Sequence, residues 1–334
     1  MKPVYRIEKG SRAGIVCCSD GRKIRTGEEP DRLTGKLESL GLRPQLSPCI
    51  FARDGAFSGT GRERAQALMD FYRDDSIRVI FDISGGNAAN EVLPFLDYSV
   101  IAGADKLFWG YSDLTVILNA IYAKTGRASV LWQVRNLLYE RGEEQTAALS
   151  EALFGKTENG ESDKETEPLF SFPTHFMQKS RMEGVVAGGN LRCLLKLAGT
   201  EFWPDMRGKL LLLEGFSGGE AMIASGLAQL EQMGVFRQVS GLLLGTFTEL
   251  EGSVPDAEER LAALVRAHVG SELPVAKNAA DRSWDGFRCG ADWRVDGSGR
   301  KAVRLNGWLN PMPTESFVRV RVPSGRFIDI PCSA

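Results

Sequence analysis

One stretch, Lys106 to Lys124 (KLFWGYSDLTVILNAIYAK), constrains the fold more than any other. Its first apolar residues, LFW, indicate the end of a buried strand, and Gly110 breaks that strand. Apolar residues then recur at the spacing of one helical face, at Leu114, Ile117, Leu118, Ile121 and Tyr122. The pattern therefore predicts a tight turn from strand to helix, with Ser112 and Asp113 in the turn.

Ser112 has two interpretations from the local sequence. A hydroxyl at such a turn projects above the sheet, beside the free backbone N–H groups of the helix, and this is a good place for a nucleophile with an oxyanion hole. The plainer alternative is that Ser112 only caps the helix, as most serines at such positions do. Local sequence leaves both open.

Strands alternate with helices throughout the N-terminal half. Apolar runs at 13–18 and 77–83 predict strands, and helical spacing recurs at 62–72. This alternation predicts an α/β domain with a parallel sheet, whose sites lie on the loops that follow the strands. Residues 84–87 (SGGN) form such a loop, which either holds an oxyanion on its backbone N–H groups or is a plain tight turn.

A charged segment without aliphatic residues, 155–168 (GKTENGESDKETEP), divides the chain. We predict an N-terminal α/β domain at 1–154, a linker at 155–180 and a mixed, β-rich C-terminal domain at 181–334, with a cleft between the domains. Glu214 follows the apolar strand 209–213, where a carboxylate either reaches that cleft or is solvated at the exposed end of the strand.

Composition and charge narrow the class of protein. The formal net charge of −2 gives no reason to expect nucleic acid or an anionic membrane as a partner. The N-terminus is too polar for a signal peptide, and no apolar run is long enough to span a bilayer. None of the six cysteines forms a C-x-x-C pair, so neither a zinc site nor a disulfide framework is indicated. These features favour a cytoplasmic protein.

The chain has only two histidines, His175 and His268. His268 shares a predicted helical face with Leu261, Leu264 and Val265, which favours a packed structural role. His175 lies close to the linker, which favours a surface position. Neither follows the end of a strand, where a catalytic base would be expected.

Several motifs, in their order along the chain, resemble those of the LD-carboxypeptidases. The resemblance is to the subgroup that includes the microcin C self-immunity peptidases. AGIVCCSD resembles the first strand of that family, and SGGNAANEVLPFLDY resembles its glycine-rich loop and the following helix. GYSDLT resembles the nucleophile motif. GVVAGGNLRCLLKLAGTEFWPDMRGKLLLLE resembles the entry to the second domain and ends at the acidic member of the triad.

The resemblance implies a Ser–Glu–His triad assembled between two domains, with Ser112 as nucleophile and Glu214 as the acidic member. It places the oxyanion donors on backbone N–H groups of the Gly85–Gly86 loop and of Asp113, with Asn87 in the same substrate-binding loop. The implied activity removes a C-terminal residue from an L,D-peptide of murein, as in peptidoglycan recycling, or from a peptidyl-nucleotide antibiotic. No metal or organic cofactor is implied, and a homodimer is expected.

The sequence departs from the family at the triad histidine, which should follow the last buried strand. The corresponding residues, 273–290 (LPVAKNAADRSWDGFRCG), contain no histidine. A neutral serine needs a base before it can attack an amide. Asp281 is taken as the candidate replacement, with Asp285 or Lys277 as alternatives. The alternative function is a family member without turnover that binds or sequesters a peptide-like ligand.

Overall fold

Two β-sheets, one in each half of the molecule, organise the fold. The computed structural model describes residues 7–23, 28–53, 55–155, 174–278, 287–289, 292–296, 317–321 and 327–331. Both predicted halves are present, a parallel α/β half followed by a half built on a mixed sheet. The predicted fold class is therefore confirmed.

The N-terminal sheet has five parallel strands in the order β5-β4-β3-β1-β2. They are β1 (Arg12–Val16), β2 (Arg43–Leu46), β3 (Ile77–Asp82), β4 (Leu107–Gly110) and β5 (Ser129–Leu131). One face is covered by α1 (Glu28–Ser39) and α5 (Gly142–Phe154). The other is covered by α2 (Gly61–Arg73), α3 (Tyr98–Gly103) and α4 (Thr115–Thr125). Helices on both faces account for the nearly continuous apolar sequence of the strands.

The C-terminal sheet has four parallel strands at its centre and is mixed at its edges. The central strands are β7 (Arg181–Asn190), β8 (Lys209–Gly215), β9 (Gly241–Phe247) and β10 (Val275–Asn278). The outer strands are β6 (Thr174–Gln178), β12 (Asp292–Asp296), β13 (Phe317–Arg321) and β14 (Phe327–Pro331). Pairing is antiparallel between β6 and β10 and between β7 and β12.

The helices of this half are α6 (Leu191–Leu194), α7 (Gly219–Gln232), α8 (Thr248–Ser253) and α9 (Ala257–Val269). Among the residues that the structure describes, no helix combines the length and the apolar character needed to cross a bilayer.

Two short strands lie outside the division of the chain that the sequence suggests. Strand β6 lies inside the segment 155–180 that the sequence predicted as a linker, so the C-terminal sheet begins before residue 181. A short strand from the late part of the chain, β11 (Phe287–Cys289), pairs antiparallel with β5 of the N-terminal sheet. The division of the sequence into halves is therefore less sharp than its composition suggests.

Helix α4 lies between the two halves. The sequence predicted one apolar face, but residues 115–121 are all buried. Its apolar side chains share a core cluster with Val186, Cys193 and Leu212 of the C-terminal half. These first two turns of α4 are packed on all sides and have no solvent face to make polar, which explains why their apolar residues extend beyond a single stripe.

Two adjacent glycines allow this close packing. Gly188 and Gly189 of β7 have φ values of +117° and +132°. A Cβ on Gly189 would lie 2.9 Å from Thr115 Oγ1, and one on Gly188 would lie 2.1 Å from the Leu212 carbonyl oxygen. The Asn119 side chain then pairs with β7, because its Nδ2 donates to the Gly188 carbonyl and its Oδ1 accepts from the Gly188 N–H, both at 2.8 Å.

Asn119→Ala should destabilise the fold. The substitution leaves the buried N–H and C=O of Gly188 without these partners, at about 1–3 kcal/mol each. We expect the free energy of unfolding, measured by urea titration, to fall by about 2–4 kcal/mol. Gln66→Ala removes an exposed amide bonded to Asp70 on α2 and is the matched control. Equal losses in the two variants would contradict the role of Asn119.

Candidate active site

Ser112 is the first residue of a 3₁₀ helix at Ser112–Leu114, in the strained turn that follows β4. Its φ is +57°, in the left-handed region of backbone conformation that residues other than glycine rarely adopt. The N-cap positions of this 3₁₀ helix and of α4 belong to Tyr111 and Leu114, and neither side chain makes a capping hydrogen bond. Ser112 is therefore not the helix cap of the plainer interpretation. The half-buried hydroxyl occupies a strained strand-to-helix turn of the kind that presents nucleophiles.

Asp113 fastens this turn to its surroundings. Its carboxylate is completely buried and accepts hydrogen bonds from the Ser19 hydroxyl at 2.7 Å, from the Ala89 N–H at 2.8 Å and from Lys196 Nζ. Burial acts to raise the pKa of Asp113, but the hydrogen bonds from Lys196, Ser19 and Ala89 together hold it below its ordinary value. The charged Asp113 carboxylate thus ties the turn that carries Ser112 to the loops after β1 and β3.

The glycine-rich loop after β3 has a conformation that only glycine allows at one position. Gly86 has a φ of +133°, and a Cβ there would lie 2.1 Å from Asp20 Cγ. The Asp20 N–H donates to the Gly85 carbonyl at 3.1 Å. Gly85 and Gly86 are half-buried, whereas Asn87 is exposed. Because Ala89 bonds to Asp113, this loop lies beside the turn that carries Ser112.

Glu214, the penultimate residue of β8, is buried rather than solvated at the exposed end of the strand. The Tyr111 hydroxyl donates to Glu214 Oε2 at 3.1 Å. Close strand packing adds to the burial, because a Cβ on Gly245 of β9 would lie 2.9 Å from Glu214 Cβ. The two halves therefore bring Glu214 against the residue that precedes Ser112.

The electrostatics of Glu214 differ from those of Asp113. Burial raises the pKa of Glu214 to about 7, although the Tyr111 hydroxyl and the Asn190 side chain act in the opposite direction. Its second oxygen, Oε1, is buried, and no described residue makes a hydrogen bond of normal geometry to it. Glu214 therefore exchanges its proton near neutral pH.

The candidate bases lie elsewhere or outside the described residues. Asp281 and Asp285 fall outside them. Lys277 is buried, and its Nζ donates to Glu251 Oε1 at 2.8 Å and to the Gly245 carbonyl at 3.3 Å. The Lys277 amine is thus held in an ion pair with Glu251 and is not free to act as a base.

Both histidines have carboxylate partners on the outer helices of the C-terminal half. His175 Nε2 lies 2.7 Å from Glu258 Oε1 of α9, and His268 Nδ1 lies 2.7 Å from Glu231 Oε2 of α7. His268 is half-buried, as its helical position predicted. Within the described part of the chain, neither histidine contacts Ser112 or Glu214.

Two residues at the site were not singled out from the sequence. Tyr111 adjoins Ser112, but nothing in the sequence alone pairs its hydroxyl with Glu214. Lys196 is the charged residue in the apolar run LLKLAG. A single lysine in such a run indicates a specific partner, so the sequence did contain a signal for it. No group of three histidine, cysteine, aspartate or glutamate side chains in the described segments is arranged to hold a metal ion.

Family comparison matches both halves of the chain. Residues 13–131 match the LD-carboxypeptidase N-terminal domain, and residues 183–280 match the LD-carboxypeptidase C-terminal domain. The chain belongs to the LD-carboxypeptidase family. The predicted family resemblance is thereby confirmed.

Individual proteins similar to this chain support its membership of the LD-carboxypeptidase family. A "Probable murein peptide carboxypeptidase" of Bacillus subtilis is 30% identical over 244 residues, which are 72% of this chain and 73% of the relative. The "Microcin C7 self-immunity protein MccF" of Escherichia coli is 29% identical over 255 residues, 70% of this chain and 72% of that protein. A solved structure of MccF in complex with aspartyl sulfamoyl adenosine has a TM-score of 0.75 at 21% identity, covering 99% of this chain and 98% of the other. This last match shows a shared fold.

Replacing Ser112 with glycine should reveal the backbone strain. Glycine adopts a positive φ freely, whereas alanine keeps the Cβ that makes this conformation costly. We expect Ser112→Gly to exceed Ser112→Ala in unfolding free energy by about 1 kcal/mol in urea titrations. Glycine ordinarily destabilises relative to alanine, so the reverse order would show that the turn is unstrained in solution.

The raised pKa of Glu214 should make stability depend on pH. Between the ordinary glutamate pKa of about 4.5 and about 7, the folded state keeps a proton that the unfolded state releases, so stability falls as pH rises. The full loss is on the order of 3 kcal/mol. Urea titrations from pH 4 to 8 should show that Glu214→Gln removes this decline. Glu259→Gln, at an exposed position of α9, should retain it. An unchanged slope in Glu214→Gln would contradict the assignment.

Proposed function

We propose that this protein is a serine carboxypeptidase in which Ser112 is the nucleophile and Glu214 the acidic member of the active site. The observation that carries the proposal is the hydrogen bond from Tyr111 to Glu214, which brings a buried acid of the C-terminal half against the residue preceding the strained Ser112. Membership of the LD-carboxypeptidase family supports the same reaction class.

In the proposed reaction, Ser112 Oγ attacks the carbonyl carbon of the C-terminal amide bond, and its proton passes to a base. The C–N bond then breaks, and the leaving amine takes up a proton. Water hydrolyses the resulting acyl-enzyme ester. Backbone N–H groups of Gly85, Gly86 and Asp113 would stabilise the oxyanion, and the exposed Asn87 would contact substrate at the end of the loop.

The identity of the base is part of the proposal. Asp281 remains the candidate from the sequence and lies outside the described residues. Glu214 supports base catalysis in either of two ways, because its carboxylate forms near pH 7 and then accepts a proton or stabilises a neighbouring protonated group.

The names of relatives suggest two substrate classes. One relative is named for murein peptides, and the MccF structure contains an aminoacyl nucleoside analogue. We propose a small substrate that carries an aminoacyl or peptidyl group, either a murein L,D-peptide or a peptidyl-nucleotide. The predicted homodimer remains a prediction.

A second candidate function is binding or sequestration of such a ligand without turnover. The observation that favours it is the position of the histidines, which pair with Glu258 and Glu231 rather than with the site. The sequence from 269 to 334 contains no further histidine.

Labelling with a fluorophosphonate distinguishes the two functions. An activated Ser112 should form a covalent adduct, which mass spectrometry locates, and Ser112→Ala should abolish it. Ser225→Ala, an exposed serine on α7, should label like the wild type. Wild-type protein should also release D-alanine from a murein tetrapeptide or cleave a peptidyl-adenylate. Labelling that survives in Ser112→Ala would contradict this nucleophile, and ligand binding without labelling would favour sequestration.

A further inference from the structure

Lys196 reaches from the C-terminal half into the turn that carries Ser112. It lies in a 3₁₀ helix at Leu195–Leu197. Its Nζ donates to Asp113 Oδ1 and, at 2.9 Å, to the Asn87 carbonyl. One ammonium group thus bonds a side chain of the turn that carries Ser112 and a backbone carbonyl of the glycine-rich loop, the two segments that supply the proposed oxyanion hole.

We propose that Lys196 is a positioning residue that holds these two segments in register, so that their N–H groups converge on one oxyanion. The inference rests on the proposed function. It assigns Lys196 no contact with substrate, because its ammonium group already bonds a fully buried carboxylate and a carbonyl. A misplacement of about 1 Å in such a donor pair is enough to cost a large factor in rate.

The other contacts in this region show what Lys196 adds. Ser19 and Ala89 hold the Asp113 carboxylate from within the N-terminal half. The Asp20 N–H donates to the Gly85 carbonyl at 3.1 Å and the Ala88 N–H donates to the Ser19 hydroxyl at 3.4 Å, which fixes the loop to the segment after β1. Lys196 adds a direct link between Asp113 and the Asn87 carbonyl, and its charge compensates the buried carboxylate of Asp113.

A simpler role for Lys196 would be to dock the two halves. Another lysine provides a matched control, because Lys124 of α4 forms an ion pair with Glu201 of the C-terminal half. The Lys124 ammonium also lies 5.2 Å from the centre of the Phe202 ring. This pair joins the same two halves but involves neither Asp113 nor Asn87. The Glu201 side chain is 72% exposed whereas that of Asp113 is fully buried. Docking alone therefore predicts that Lys124→Met also slows labelling, although an exposed ion pair contributes less than a buried one.

Removal of Lys196 alone leaves the Asp113 charge buried, so a second variant is needed. Lys196→Met combined with Asp113→Asn removes both charges while keeping the side-chain volumes similar. Lys196→Arg keeps a cation and tests rescue by a conservative change. Circular dichroism and urea titration establish that each variant is folded before its activity is compared.

The test measures the rate constant of fluorophosphonate labelling at Ser112, together with kcat and KM for the substrate that the wild type cleaves. Oxyanion stabilisation acts in the transition state, so the loss should fall on kcat. We expect Lys196→Met and the double variant to label about 10- to 100-fold more slowly, with KM changed less than about threefold. Lys196→Arg should recover most of the rate, and Lys124→Met should match the wild type.

Two results would overturn the inference while leaving the proposed function intact. The first is wild-type labelling rates in both Lys196→Met and the double variant. The second is an equal loss of rate in Lys124→Met, which would indicate docking of the halves. Failure of the proposed function looks different, because the wild-type protein itself would then not be labelled at Ser112.

Discussion

The packing of α4 between the two sheets is the constraint on which the site depends. Helix α4 follows the 3₁₀ helix that begins at Ser112, and its buried residues form one core with the C-terminal half. The paired glycines of β7 and the amide of Asn119 fix how closely the two halves approach. Since this core is continuous, the distance between the turn that carries Ser112 and Glu214 is set by the close packing of the two halves.

The fold was largely predictable from the sequence because it depends on periodicity. Alternating strands and helices indicated the parallel sheet, and Gly110 with the helical spacing after it located the turn at Ser112. The burial of residues 115–121 of α4 on every side was not predictable, because periodicity describes one helix and not what packs on its far side. The strand β6 within the predicted linker segment was not predictable for a similar reason, since β6 gains its place only by pairing with β10.

The candidate site was predictable only in part. Sequence pattern and resemblance indicated the turn, the glycine-rich loop and Glu214, and the structure places these three near one another. The contacts that join them involve Tyr111, Ser19 and Lys196, which are distant in sequence from their partners. Such pairings depend on tertiary geometry, and a single sequence without covariation carries no direct signal for them.

Two buried carboxylates close to Ser112 have opposite environments, and this difference favours different roles for them in the proposed function. Asp113 accepts bonds from a cation, a hydroxyl and a backbone N–H, which hold its pKa low and keep it charged. Glu214 has the Tyr111 hydroxyl and little else to offset its burial, so its pKa rises to about 7. Asp113 is therefore suited to hold structure at every physiological pH. Glu214 is suited to exchange a proton where the sequence provides no triad histidine.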